Sequence, residues 1–370
     1  MAHSLDVVEV LRVTVDRNEI TADAVPELRA LFNIDKLPLA EAYVEIEIRG
    51  VPTAYMNALR RTVTDEMPGR ALQVPVNGFD ANLTTDPFML PHFVNVRIQM
   101  LPLSSQIPSD IVSNLRLSLD VTNRTAAPLS VYSGDLVVTA GKMPEPLFNP
   151  TFKLAFLQPG KRIVITNIRI GTGYGRDNGA FIVARRGAYR HLDIEQFSDA
   201  DMRLEGGFAV DSSGYKVSCL VANPRHHVLT ATLAATRSNL AASRAVFADA
   251  CGNIKERLRL IATTIERRAE VPSGGFGHRG IQYTVVELKD ELTEGILHVP
   301  GETHTIGEAL RRTVYELTPD IANVAYSIVA HENRMTFTLR HVDDVTSILQ
   351  DAVRHLIDTF DTIQRGIGAK

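Results

Sequence analysis

The sequence predicts an α+β protein built from two copies of one small sheet-and-helix module, the first copy interrupted by a β-rich stretch. Three observations carry this expectation. The hexapeptide ALRRTV occurs twice, at residues 58–63 and 309–314, an interval of 251 residues. Each copy follows an extended, strand-like segment, and each half of the chain closes on a long helical stripe. Between the halves, VPSGGFGHRG (271–280) has four glycines in ten residues, the composition of a flexible linker. Two copies this far apart exclude a solenoid array, whose period is a few tens of residues.

Before the first copy, EAYVEIEIRG (41–50) sets Val44, Ile46 and Ile48 against Glu45, Glu47 and Arg49, the period of a half-buried strand. In TAYMNALRRTVTDEM (53–67), Met56, Leu59, Val63 and Met67 recur at steps of three, four and four, which is one apolar stripe on a helix. Pro68 ends that helix, because the residue before a proline is pushed out of helical dihedrals. The runs NVRIQMLPL, LRLSLDVTN, DLVVTA, FKLAFL and RIVITNIRI read as short strands separated by Pro, Asn and Gly. Residues 76–205 are therefore expected to be a β-rich insert domain in a first module formed by 1–75 and 206–270. That module closes on residues 239–268, where Leu240, Phe247, Ile254, Leu258, Ile261 and Ile265 form a stripe.

The second module is expected over 281–370. YTVVELKDELTEGILHVPG is a hairpin candidate, and Ile306, Leu310, Val314 and Leu317 repeat the stripe. Pro319 stops this helix, again 251 residues beyond Pro68. VAYSIVAH and MTFTLRHV read as strands joined at Glu332 and Asn333. The closing helix spans 343–367, striped by Val345, Ile348, Ala352, Leu356, Phe360, Ile363 and Ile367.

Composition narrows the function. A net charge of −4 argues against autonomous nucleic-acid binding, which needs a basic excess to displace counterions. Cys219 and Cys251 are too few for a disulfide framework or a four-cysteine zinc site, so a reducing compartment is expected. Neither a secretory leader nor a membrane-length apolar run is visible, so a soluble intracellular protein is expected. GTGYG (171–175) lacks the Lys-Ser/Thr of a phosphate loop and reads as a turn. His226 and His227 read as interface or surface histidines, and Glu302 with His304 is too small a set for a metal. Asp199, Asp201, Asp343 and Asp344 read as turns and helix starts. No catalytic, cofactor or metal site is expected. His304 and Thr305 open the second helix, with the Thr305 hydroxyl expected to cap it. Arg60, Arg61, Arg311 and Arg312 lie off the stripes, where arginines are most often simply solvated.

These residues also carry a family resemblance. NALRRTVTDEMPGRAL (57–72) resembles the signature helix of the bacterial RNA polymerase α subunit, of the third subunit of eukaryotic polymerase II and of its archaeal counterpart. HFVNVRIQMLPL (92–103), the PGK turn (159–161) and GTGYGRDNGAF (171–181) continue the match. GETHTIGEALRRTVYELTPDIANVAYSIVAH (301–331) resembles the smaller partner, the eleventh subunit of polymerase II and the archaeal protein equivalent to it. FNPTFKLAFLQPGK, HLDIEQF and NPRHH resemble the fused single-chain form of asfarviruses and related nucleocytoplasmic large DNA viruses. Three departures stand out. No cysteine lies in 76–205, so the metal loop of some relatives is not expected; Asn178 stands where the family usually has histidine; and the bacterial DNA-binding module has no counterpart.

The resemblance implies two α-like dimerisation modules, third-subunit-like and eleventh-subunit-like, fused into a non-catalytic assembly subunit of a DNA-directed RNA polymerase. It implies a dimerisation core of Met56, Leu59, Val63, Met67, Phe247, Ile254, Leu258, Ile306, Leu310, Val314, Leu317, Leu356 and Phe360. It assigns Asn57, Arg60, Arg61, Arg311 and Arg312 to large-subunit contacts, with Arg60 and Arg61 facing the second-largest subunit and Arg311 and Arg312 the largest. A small zinc-binding subunit of the subunit-ten type would be a further partner, and Mg2+ would sit only on the catalytic subunit. DNA and RNA would be met through the complex alone, with no membrane, in a viral factory of the host cytoplasm or in the virion. Two rivals remain open on the residues themselves. A nucleotide-binding enzyme using the 171–181 turn predicts nucleotide affinity, and a free-standing interaction protein predicts an isolated oligomer.

Overall fold

A computed structural model describes residues 7–18, 39–79, 91–103, 107, 109–142, 147–191, 225–236, 242–267, 280–288 and 292–370. Cys219, most of the 271–280 linker, and Asp199 and Asp201 lie outside them.

In chain order the first half supplies β1 (Glu9–Asn18), β2 (Leu39–Arg49) and helix α1 (Thr53–Arg61), which runs on as one π-type turn, Thr62–Glu66. There follow β3 (Pro68–Gln73), α2 (Pro91–Gln99), α3 (Ser109–Asn114), β4 (Arg116–Thr122), β5 (Leu129–Tyr132) and β6 (Leu136–Ala140). Next come β7 (Lys153–Leu157), β8 (Arg162–Tyr174), β9 (Arg185–His191), β10 (His226–Thr236) and α4 (Ala245–Arg267). The second half supplies β11 (Gln282–Glu287), β12 (Thr293–Pro300), α5 (His304–Leu317), β13 (Asn323–Val329), β14 (Arg334–His341) and α6 (Val345–Ala369).

Two of the sheets have one topology. The first runs β1-β2-β10-β9 and the second β11-β12-β14-β13, four antiparallel strands each. In both, a hairpin leads into an ALRR helix, a second pair of strands completes the sheet, and a long helix follows. The correspondence holds at single residues. β2 ends at Arg49 and β12 at Pro300, and each is followed by a glycine at positive φ, Gly50 at 85° and Gly301 at 69°. That conformation suits glycine because no Cβ meets the backbone. At Gly50 an added Cβ would also lie 2.4 Å from the Val7 carbonyl oxygen.

Between α1 and β9 lies a different sheet, β3-β8-β4-β6, with a two-stranded ribbon, β5-β7. It starts before residue 76, since β3 pairs with β8. It also ends before residue 205, since β9 pairs with β10 in the first sheet. One expectation here is corrected. NVRIQMLPL is not a strand, because α2 covers its start. Val96, Ile98 and Met100 alternate as in a strand, but the residues buried are Val94, Ile98 and Leu101, at steps of four and three. Pro91 occupies the first helical position, where its missing N–H costs nothing. The first closing helix also begins later than residue 239, at Ala245.

The helices meet in one core. α4 packs along α6, and α1 packs on α5. Met56, Leu59, Val63, Phe247, Ile254, Leu258, Ile306, Leu310, Val314, Leu356 and Phe360 are all buried in a single apolar cluster spanning both halves; Met67 and Leu317 are partly buried against it. Each such side chain contributes roughly 1.5–3 kcal/mol on burial. The β3-β8-β4-β6 sheet covers a separate core around Leu72, Ile98, Leu117 and Ile165. No described helix is long and apolar enough to cross a membrane.

Candidate functional site

The seam between the halves is where buried polar chemistry concentrates. The π-type turn after α1 carries Glu66 inward, α4 brings Arg257, the loop into α5 brings Glu302 and Thr303, and the first turn of α5 brings Thr305. Arg257 donates from Nη1 to Glu66 Oε2 at 2.6 Å and from Nε to Glu302 Oε2 at 3.0 Å, and its Nη2 bonds Glu302 Oε1. Glu66 Oε1 accepts from the Thr303 and Thr305 hydroxyls at 2.5 and 2.6 Å. Arg61 Nε donates to Thr305 Oγ1 at 3.1 Å. Glu66, Arg257 and Glu302 are each at most 4% exposed.

Burial raises both carboxyls, and one guanidinium serves two of them. At Glu66 the Arg257 charge and the two threonine hydroxyls outweigh burial, so its pKa is held below the ordinary value. At Glu302 burial prevails, and the neighbouring Glu66 charge adds to it, so its pKa is raised. A buried hydrogen-bonded triad of this kind sets geometry strictly, because loss of Arg257 leaves two buried carboxyls without a cation.

Other bonds cross the seam. The Tyr55 hydroxyl meets Thr313 Oγ1 at 2.7 Å, wholly buried, and burial raises the Tyr55 phenol well above its ordinary range. The residue 251 beyond Tyr55 is Ile306, which has no hydroxyl; Thr62, 251 before Thr313, has a buried Oγ1 with no hydrogen-bond partner among the described residues. The duplicated helices thus pair asymmetrically. Lys255 on α4 bonds Asp361 on α6 at 2.6 Å, and Arg225 bonds Glu316 at 2.9 Å. The expected turn at GTGYG is corrected: residues 171–174 end β8 and pair with β3, and from the turn that follows Arg176 donates to the Gly301 carbonyl at 2.8 Å, propping the second half.

The arginine face is more ordered than simple solvation. Arg60 donates from Nε and Nη2 to Asn57 Oδ1 at 3.1 and 3.0 Å, and Arg311, 251 residues on, grips Glu308 at 2.9 and 2.6 Å. Arg311 also lies over the Tyr315 ring. Arg61 turns into the seam, whereas Arg312 pairs with Glu316 at 3.2 Å.

Two expectations are corrected. The α5 cap is Thr303, whose side chain accepts from the Thr305 backbone N–H. Thr305 lies inside the helix, and its hydroxyl is donated to Glu66. His304 is exposed and bonds the Tyr326 hydroxyl at 3.1 Å. His227 is neither surface nor interface; it is fully buried on β10, with Nε2 2.9 Å from the Val51 carbonyl oxygen. His226 pairs with Glu47 at 2.8 Å. Sequence reasoning passed over Glu66, Arg257 and Glu302 as functional residues. The one available signal was a charged residue on a predicted buried stripe, since Arg257 stands three residues after Ile254 and four before Ile261. Among the described residues no group of three or more His, Cys, Asp or Glu side chains is placed to hold a metal.

No protein-family model matches the chain. It is 32% identical over 347 residues to the "DNA-directed RNA polymerase RPB3-11 homolog" of African swine fever virus isolate Tick/Malawi/Lil 20-1, covering 92% of this chain and 91% of that protein. The homolog of the Vero-adapted Badajoz strain is 31% identical over the same shares. With two sheets of one topology, the shared helical core and this similarity over nearly the whole length, the chain belongs to the family of DNA-directed RNA polymerase RPB3-11 homologues.

Proposed function

We propose that the chain is the non-catalytic assembly subunit of a multisubunit DNA-directed RNA polymerase, an intramolecular heterodimer of a third-subunit-like and an eleventh-subunit-like module. The observation that carries this reading is the identical topology of the two four-stranded sheets, with α1 on α5 and α4 on α6 in one core. β1 through α1 and β9 through α4 make the first module, the segment between α1 and β9 the insert, and β11 through α6 the second. Fusion replaces a bimolecular encounter by an intramolecular one, so pairing no longer depends on concentration.

The two large catalytic subunits dock on the arginine faces. Arg60, held by Asn57, meets the second-largest subunit, and Arg311 and Arg312 meet the largest; arginine suits such contacts because its planar fork is weakly hydrated and bonds in pairs. A small zinc-binding subunit of the subunit-ten type completes the platform. Mg2+ belongs to the catalytic subunit, and nucleic acid is met through the complex. The site of action is the viral factory of the host cytoplasm or the virion.

Affinity capture of the tagged chain from its native source, washed at high salt and counted by mass spectrometry, tests the reading. Two very large subunits at one copy each are expected; recovery of the chain alone overturns it. Arg60→Ala isolates the face from the seam, and full retention of the second-largest subunit by that variant would overturn the assignment of Arg60.

A further inference from the structure

A cavity of about 550 Å³ opens where the end of α1, the insert and the first turns of α4 meet, a size typical of ligand sites. Met67, Met100, Leu101, Phe152, Ile182 and Val246 give it apolar walls. Three polar side chains interrupt them. Ser243 is only 4% exposed, and its Oγ has no hydrogen-bond partner among the described residues. Asp249 is exposed to solvent; partial desolvation alone raises its carboxyl, with no cation acting on it among the described residues. Arg70 is the other charged residue of the lining.

The rim is apolar as well. Met100, Phe152 and Ile182 are exposed although large and hydrophobic. Met100 also ends a stripe with Phe93 and Val96, at steps of three and four, on the face of α2 turned away from its core. An exposed apolar patch beside an unpaired charge and an orphaned buried hydroxyl is the pattern of a surface that is covered in use.

We propose that this cavity is the docking site for an extended segment of another polymerase subunit, which inserts an apolar side chain and sets a lysine or arginine beside it against Asp249. The chemistry of the lining selects that occupant. The exposed Asp249 carboxylate suits a cation by charge complementarity, while the Ser243 hydroxyl and the Arg70 guanidinium are donors that suit backbone carbonyls. A nucleic-acid phosphate would meet the Asp249 carboxylate and is disfavoured. The inference rests on the assembly reading only for the source of the segment.

The test uses the polymerase purified through this chain, with the photo-crosslinking residue p-benzoylphenylalanine placed in turn at the exposed positions Met100 and Phe152. Irradiation followed by peptide mapping should join both positions to one segment of a different subunit, with a lysine or arginine near the joined residue. Asp249→Lys should cut the yield by about ten-fold or more, the scale of a lost close charge pair. Asp249→Asn, which keeps the volume, should cut it less, and an acidic replacement of the partner's basic residue should restore yield in the Asp249→Lys complex. Cross-links confined to this chain, to a second copy of it or to nucleic acid overturn the proposal, as does no cross-link at all. In each of those cases the continued presence of both large subunits leaves the assembly reading standing; their absence overturns both.

Discussion

Replacing Arg257 by methionine should release the two halves from one another. The guanidinium makes three hydrogen bonds to two carboxylates that are almost wholly buried, Glu66 from the first half and Glu302 from the second. Methionine fills most of the space but leaves both carboxylates uncompensated, and breaking a buried pair in this way costs about 3–5 kcal/mol. Glu302 already takes up a proton more readily than an ordinary carboxyl, which limits the penalty at that member and places the expected loss near the lower end of that range. Urea unfolding followed by circular dichroism reads the loss as a lower midpoint at unchanged slope. A protease site engineered into 271–280 reads it a second way: the cleaved halves should co-elute for the parent chain and separate for Arg257→Met. Adding Glu66→Met and Glu302→Met should recover most of the stability, because no stranded charge remains. A loss of less than about 1 kcal/mol for the single variant at unchanged slope would refute the claim that the triad locks the seam.

The remaining expectations concern single contacts. Glu66 is held below 4.5, so its contribution to stability is complete above that value and is lost as pH falls through its lower folded value; an acid titration should weaken the parent chain more than Glu66→Gln. Phe360→Ala, at a fully buried position of the joint helical core, should cost about 3–5 kcal/mol in the same urea assay. Tyr55→Phe removes one buried cross-seam bond but leaves Thr313 Oγ1 donating to the Ala309 carbonyl, so it should cost only about 0.5–1.5 kcal/mol. Gly50→Ala forces a Cβ against the Val7 carbonyl oxygen at positive φ and should lower the midpoint well beyond the usual glycine-to-alanine change, read by thermal unfolding.

Legibility followed the range of the interaction. The period of apolar residues on β2, α1, α5 and α6 was readable because the register that buries Val44, Ile46 and Ile48, or Ala352, Leu356 and Phe360, is set by spacing along one element. The same reasoning failed over 92–103, where Val96, Ile98 and Met100 fit a strand as well as a helix. There the choice fell to the packing of Val94, Ile98 and Leu101 in the core of the β3-β8-β4-β6 sheet. Thr303, rather than Thr305, became the cap because Thr303 keeps the extended backbone before α5 while Thr305 is already helical; both hydroxyls are donated to the Glu66 carboxylate, 239 residues from Thr305.

The sequence by itself determined that this is an α+β chain in which ALRRTV occurs twice, with the ALRR helices, their stopping prolines and the long closing helices all carried by local pattern. Only the tertiary structure decided that Glu66, Arg257 and Glu302 form one buried lock, that His227 belongs to the core, and that Arg61 turns into the seam while Arg60 stays with Asn57. The reason is physical. Periodicity records which face of an element is apolar, whereas a buried charge is tolerated only through partners that the fold brings from distant parts of the chain, and nothing in the local pattern names them.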